Sequence, residues 1–395
     1  MNFDFTSEQT QLADTVRRLV ERDYGFEARN RIVRSDRGTS DEVWAKLVDL
    51  GLTALPIPEA QGGFDGTAVD LLLVMQELGR GLVAEPYFAT IFAAQFLKSS
   101  TNPAHASLLE AVADGSLKLA AALGEPESRH DLTAVSTKAE ASAAGHALSG
   151  RKSVVLFGAQ ADRLVVSARV SAGDDGLALF VVDARATGIV RKDLRTLDGQ
   201  RVAEIFFDGV TVGPDDLLAK GAAASALLDA VSDYGVALLC AEAIGVMEAM
   251  NAATLDYAKT RKQFGQPIAR FQVLQHRMVD MFIHLEQARS MAYLAAVKVD
   301  SPDVHERRRT VSAAKVRVGQ AARYIGQQAV QIHGGMGVTN ELPAAHLFKR
   351  LTMIDLTLGD TDHHLQRFIA SSAAGAADEA VVEPAWPSAA LQQAA

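Results

Sequence analysis

The chain has 395 residues, 48% of them hydrophobic, enough to fill the cores of two or three compact units; a small or disordered protein is excluded. Its 39 basic and 48 acidic side chains leave a net charge of −9, without a basic block that would suit nucleic acid or an anionic membrane surface. The single cysteine, Cys240, excludes internal disulfides and cysteine-based metal sites, and its apolar surroundings read as core packing.

The N-terminus lacks a basic segment followed by an apolar one, and no run approaches the roughly 20 apolar residues that span a bilayer. The expected location is therefore the cytoplasm, with no membrane partner. Thr6-Ser7-Glu8-Gln9 can form a capping box, after which Leu12, Val16, Leu19 and Val20 recur at helical spacing. Leu55 to Gly63 breaks the helical pattern, Val69 to Arg80 restarts it, and Gly81 reads as a stop. Residues 1–117 are thus expected to form a helical N-terminal domain.

From residue 118 to 215 the period changes to short apolar or alternating runs, separated by Ser149-Gly150, Gly173-Asp174-Asp175-Gly176 and Asp198-Gly199. That pattern predicts an antiparallel barrel or sandwich. Over 216–376 the helical period returns in four long segments, Ser225 to Thr260, Phe271 to Lys298, Glu306 to Ile332 and Pro343 to Leu358, which predicts a four-helix bundle. Residues 377–395, rich in alanine, serine and proline, read as a flexible tail. The fold class is α+β.

Two motifs carry chemistry. The first is Gln331-Ile332-His333-Gly334-Gly335-Met336-Gly337, where glycines at a helix end could present backbone N–H groups to a phosphate; alone, such a turn is an ordinary helix stop. The second is Arg261-Lys262-Gln263-Phe264-Gly265-Gln266-Pro267-Ile268, whose Arg261 could grip a pyrophosphate and whose Phe264 offers a flat face near an adenine or ribose. Together they resemble the acyl-CoA dehydrogenase family. The resemblance implies FAD as cofactor, with Arg261, Phe264, Gln331, Gly334 and Gly335 holding the adenosine diphosphate end of an FAD seated in a neighbouring subunit. It also implies an acyl-CoA substrate, α,β-dehydrogenation, electrons passed to an electron-transfer flavoprotein, and a tetramer.

Where the family carries its catalytic glutamate, this chain has Leu358-Gly359-Asp360-Thr361-Asp362-His363-His364, so the base position is Gly359. The position some relatives use instead aligns with Gly235. Three acids lie near these positions: Asp360, Asp233 and Glu242, of which Glu242 shares a helical face with Gly235. Glu242 and Asp360 are the candidate bases. Thr361 matches a cofactor-contacting threonine of the family. His363-His364 do not make a metal site, since neighbours on a helix point about 100° apart.

The family's loop over the flavin is altered to Leu123-Gly124-Glu125-Pro126-Glu127-Ser128-Arg129-His130-Asp131, and its tryptophan with threonine or serine is replaced by Ser153-Val154. The losses therefore fall on groups a subunit uses for its own flavin ring, while groups reaching a neighbour's FAD persist. The wording of several stretches, among them Tyr24-Gly25-Phe26-Glu27-Ala28-Arg29, resembles the small subunits of pimeloyl-CoA dehydrogenases and the glutamate-less subunits of heteromeric steroid dehydrogenases. Three readings stay open: an acyl-CoA dehydrogenase subunit, as a homotetramer or with a large partner; a non-catalytic subunit completing a partner's FAD site in trans; and an acyl-CoA desulfinase-type flavoprotein.

Overall fold

The computed structural model describes residues 5–100, 102–170 and 176–379. Most of the Gly173 to Gly176 turn and the tail from residue 380 onward lie outside the described residues. Six helices open the fold: α1 (Ser7–Asp23), α2 (Phe26–Arg34), α3 (Asp41–Asp49), α4 (Ala68–Arg80), α5 (Tyr87–Lys98) and α6 (Pro103–Ala113). The expected capping box starts α1, with the Gln9 N–H donating to Thr6 Oγ1 at 3.1 Å and the Gln9 side chain accepting from the Thr6 N–H at 3.1 Å. Gly81 caps α4 as expected.

The middle strands are β1 (Leu119–Ala122), β2 (Lys138–Ser142), β3 (Gly145–Leu156), β4 (Arg163–Arg169), β5 (Leu177–Asp183), β6 (Ile189–Arg195), β7 (Arg201–Val212) and β8 (Leu217–Lys220). They form one eight-stranded sheet in the order β6-β7-β3-β2-β4-β5-β8, with β1 laid on β4. Most pairings are antiparallel, but β1 runs parallel to β4, Leu119 facing Arg163. The short apolar or alternating runs pointed to strands; the direction of a short strand arriving from a helix was not encoded there.

The helical part that follows consists of α7 (Ala222–Thr260), α8 (Gln272–Lys298), α9 (Val304–His333), α10 (Pro343–Leu356) and α11 (Thr361–Glu379), so a fifth helix joins the expected four. Helix α7 passes closely against α4, because a Cβ at Gly245 would lie 1.7 Å from the Gln76 carbonyl oxygen and one at Gly79 would lie 2.3 Å from that of Glu242. Contrary to expectation, α7 is long and apolar enough by composition to cross a bilayer; 72% of that window is buried inside the fold, which makes it a core helix here. Cys240 on α7 is buried and unpaired, its thiol pushed up to about 12 by that burial. Between α7 and α8 lies a two-residue-strand hairpin, β9 (Lys262–Gln263) and β10 (Gln266–Pro267).

Candidate functional site

The hairpin after α7 and the glycine turn after α9 meet around an open groove of about 780 Å³, lined by Arg261, Phe264, Gln331, Gly334 and Gly335. Five of the six residues expected to bind a cofactor are thereby brought together from positions far apart in sequence. Phe264 and Gly265 occupy the tip of the hairpin with φ +51° and +81°, the pair of left-handed conformations that a tight two-residue turn requires. The turn carries Phe264 into solvent, 92% exposed, its ring edge-on to Phe271 at 6.1 Å.

Glycine does different work along the second turn. A Cβ at Gly334 or Gly335 would meet no atom within 4 Å, so these two leave backbone open to the groove, whereas one at Gly337 would lie 2.7 Å from the Val330 carbonyl oxygen. Gly337 is therefore a packing glycine, contrary to the reading that grouped it with the other two. Gly334 has φ +60°, the conformation that turns the chain off the end of α9. Tyr257 holds that end: its hydroxyl donates to the His333 carbonyl at 3.3 Å and its ring stacks on His333 at 4.4 Å. Nothing in the sequence marked Tyr257, because its partner is 76 positions away. The Arg261 guanidinium is exposed, without an ion pair or side-chain hydrogen bond among the described residues. An unpaired guanidinium, an exposed aromatic face and an unobstructed glycine turn fit the adenosine diphosphate half of FAD.

A second cavity, of about 370 Å³, lies between α5, the sheet and the loop after α10. Its wall is mainly apolar, with Phe92, Leu156, Met353 and Leu358, and includes Arg129, His130 and Gly359. Gly359 has φ +102°, and a Cβ there would lie 2.6 Å from His363 Cδ2 and 2.7 Å from His364 Nε2. At Gly235 a Cβ would lie 2.6 Å from the Phe92 ring and 2.7 Å from Leu358 Cδ1. Neither position could accept a longer side chain without displacing packed neighbours.

Models of the acyl-CoA dehydrogenase N-terminal, middle and C-terminal domains match residues 6–116, 120–210 and 233–373. The chain belongs to the acyl-CoA dehydrogenase family. Members of this family are FAD-dependent oxidoreductases, and its acyl-CoA dehydrogenases act on the CH–CH bond of an acyl-CoA. Among its relatives is the probable acyl-CoA dehydrogenase YngJ of Bacillus subtilis, 27% identical over 381 residues that cover 93% of this chain and 98% of the relative. The caffeyl-CoA reductase-Etf complex subunit CarC of Acetobacterium woodii is 27% identical and covers 87% of this chain and 93% of its own. Among solved structures, the ChsE4-ChsE5 complex from Mycobacterium tuberculosis superposes with a TM-score of 0.86 at 26% identity, over 94% of this chain and 99% of the other. The Tcur3481-Tcur3483 steroid ACAD superposes with a TM-score of 0.85 at 29% identity and the same two coverages.

In this acyl-CoA dehydrogenase chain both candidate bases are committed elsewhere. Glu242 is buried and faces Arg350, which donates from Nε at 2.6 Å and from Nη2 at 2.7 Å, while Arg350 Nη1 reaches Asp198 at 2.9 Å. Glu242 thus joins α7, α10 and the β6–β7 turn and does not line the apolar cavity. Asp360 caps α11: the His363 N–H donates to its Oδ1 at 2.8 Å, and His130 Nε2 lies 3.4 Å from Oδ2. The backbone bond from His363 and the neighbouring His130 hold its carboxyl below the usual range, which makes it a weak base. Asp233 is clamped by Arg307 at 2.9 Å and Arg367 at 2.6 Å. Thr361 lines neither cavity; its hydroxyl donates to Asp355 Oδ1 at 2.8 Å.

The loop after α10 is held from beneath. Buried Lys315 donates to the carbonyls of Ile354 and Thr357, and burial lowers its pKa to about 8. His364 lies 2.9 Å from the Leu358 carbonyl through Nε2 and 3.3 Å from Ser312 Oγ through Nδ1, and burial drives it to about 3, so it is neutral. On the cavity's other wall, buried Lys152 donates to Glu125 at 2.8 Å, to the Leu123 carbonyl at 3.1 Å and to Ser167 at 2.9 Å. Glu125 also accepts from the N–H groups of Ser136 and Thr137, at 2.7 and 3.0 Å, so this pair ties the altered 123–131 loop to the sheet.

Proposed function

We propose that this chain is the base-less subunit of an FAD-linked acyl-CoA dehydrogenase, completing in trans the FAD site of a large partner subunit that supplies the catalytic glutamate. The observation carrying this reading is an asymmetry between two sites: the groove that would receive a neighbour's adenosine diphosphate is open, and both base positions are glycines at which an added Cβ would meet packed side chains. FAD, when bound, accepts the β hydrogen as hydride in α,β-dehydrogenation. Proton removal next to the thioester needs a base in contact with the substrate. Here the two candidate acids, Glu242 and Asp360, are an ion-pair partner and a helix cap.

In this reading Arg261 and the Gly334-Gly335 backbone hold the pyrophosphate, and Phe264 packs against the adenosine. The likeness to a ChsE4-ChsE5 complex and to a subunit of a reductase-Etf complex supports a heteromeric cytoplasmic assembly passing electrons to an electron-transfer flavoprotein. Anaerobic mixing with an acyl-CoA of the partner's specificity tests it. The chain alone is expected to give no bleaching of flavin absorbance, and the chain coexpressed with its large partner a full reduction. Rapid bleaching by the chain alone would overturn the assignment.

A further inference from the structure

A cleft of about 130 Å³ opens where α2, the β6–β7 turn and α10 meet, lined among others by Arg29, Arg34, Asp198, His346 and Lys349. It shares no lining residue with the cofactor groove. Arg29 is only 3% exposed. Its Nη2 donates to the Asp198 carbonyl at 2.8 Å and its Nη1 lies 2.8 Å from His346 Nδ1, while Nε is buried with no hydrogen-bond partner among the described residues.

No carboxylate oxygen is left to answer these cations. Asp198, the lining acid, gives Oδ2 to Arg350 at 2.9 Å and Oδ1 to the Thr196 hydroxyl and the Gln200 N–H. Lys349 donates to the neutral Asn340 side chain at 3.1 Å, and Arg34 is exposed; neither has an ion pair among the described residues. A buried guanidinium with an unsatisfied N–H is costly unless negative charge nearby offsets its own. Two further unpaired cations at one small cavity fix the sign of that occupant.

We infer that this cleft binds a phosphate group, whose several anionic oxygens can take the ends of Arg34 and Lys349 beside the buried positive charge of Arg29. Because its walls come from the N-terminal helices, the sheet and the C-terminal helices, the bound anion fastens all three together. The phosphate comes either free from solution or as part of a phosphorylated adenosine such as the one that ends coenzyme A. The inference does not depend on the reading of the groove.

Calorimetric titration of the full chain at fixed ionic strength tests it, with inorganic phosphate and, separately, adenosine 3′,5′-bisphosphate as probes. With the groove disabled by Arg261→Ala, the chain is expected to bind saturably, one per chain. Arg34→Ala combined with Lys349→Ala is expected to weaken binding by about tenfold or more, from two lost charge-assisted contacts. Both substitutions are away from the core, so an unchanged thermal melt shows that the fold is kept. Arg261→Ala, which disables the groove, is expected to leave the component that depends on Arg34 and Lys349 unchanged. Tighter binding of the bisphosphate assigns a nucleotide source, and equal or tighter binding of phosphate a free anion. Absence of saturable binding by either probe, or a loss that follows Arg261 instead of Arg34 and Lys349, overturns the inference.

Discussion

At Gly359 the backbone sits in a region that L residues rarely adopt, and a Cβ would press on both His363 and His364. Gly359→Glu is therefore expected to destabilise the chain by about 1–3 kcal/mol and to leave its flavin reduction by acyl-CoA unimproved, as read by thermal melts and stopped flow. A gain of dehydrogenation would show that the position is open. Arg350 is the converse case, a buried cation whose two carboxylate partners lie in different parts of the fold. Arg350→Ala strands Glu242 and Asp198 and should cost about 3–5 kcal/mol in denaturant unfolding; a loss below about 1 kcal/mol would contradict the role assigned to the pair. Sequence placed Glu242 on the same face of α7 as Gly235 but could not show a partner 108 positions on, and the Lys152–Glu125 pair was hidden by a separation of 27. The Arg261 and Phe264 groups were legible because one short turn holds both.

Whole elements were easier to read than pairs. The capping box at Thr6, the stop at Gly81 and the ends of α7 to α10 follow local rules of hydrogen bonding and conformational freedom, and they fall within a few residues of expectation. The parallel placement of β1 did not follow, since strand direction depends on where the preceding helix docks. Element α11 also gives a pH test, because burial keeps its His364 neutral in the folded chain. Unfolded, the imidazole titrates near 6.5, whereas burial holds the folded group at about 3. Between those values the unfolded chain takes up a proton that the folded one refuses, so stability present above pH 6.5 is lost as pH falls. His364→Gln is expected to flatten the fall in melting temperature between about pH 7 and about pH 4.5 relative to wild type. Parallel slopes would show that His364 does not carry this dependence.

At the scale of the molecule, the α, then β, then α order was legible from the change of hydrophobic period. The cavity between the parts was not, because its walls come from α5, two strands, the 123–132 loop and the end of α10 with the loop after it, which only packing brings together. The same packing separates two sites that the sequence names in one breath: a groove facing outward, suited to another subunit's cofactor, and an inward cavity whose base positions hold glycine. In an assembly that holds FAD, Arg261→Ala is expected to weaken retention by about 1.5–3 kcal/mol, seen as flavin lost on gel filtration. Unchanged retention would remove Arg261 from the groove's function. The most direct test of the account is the flavin-to-chain ratio by absorbance, for the chain purified alone and coexpressed with its large partner. The account predicts no FAD on the chain alone and one FAD per pair of chains in the complex; near one FAD per chain in the protein purified alone would contradict it.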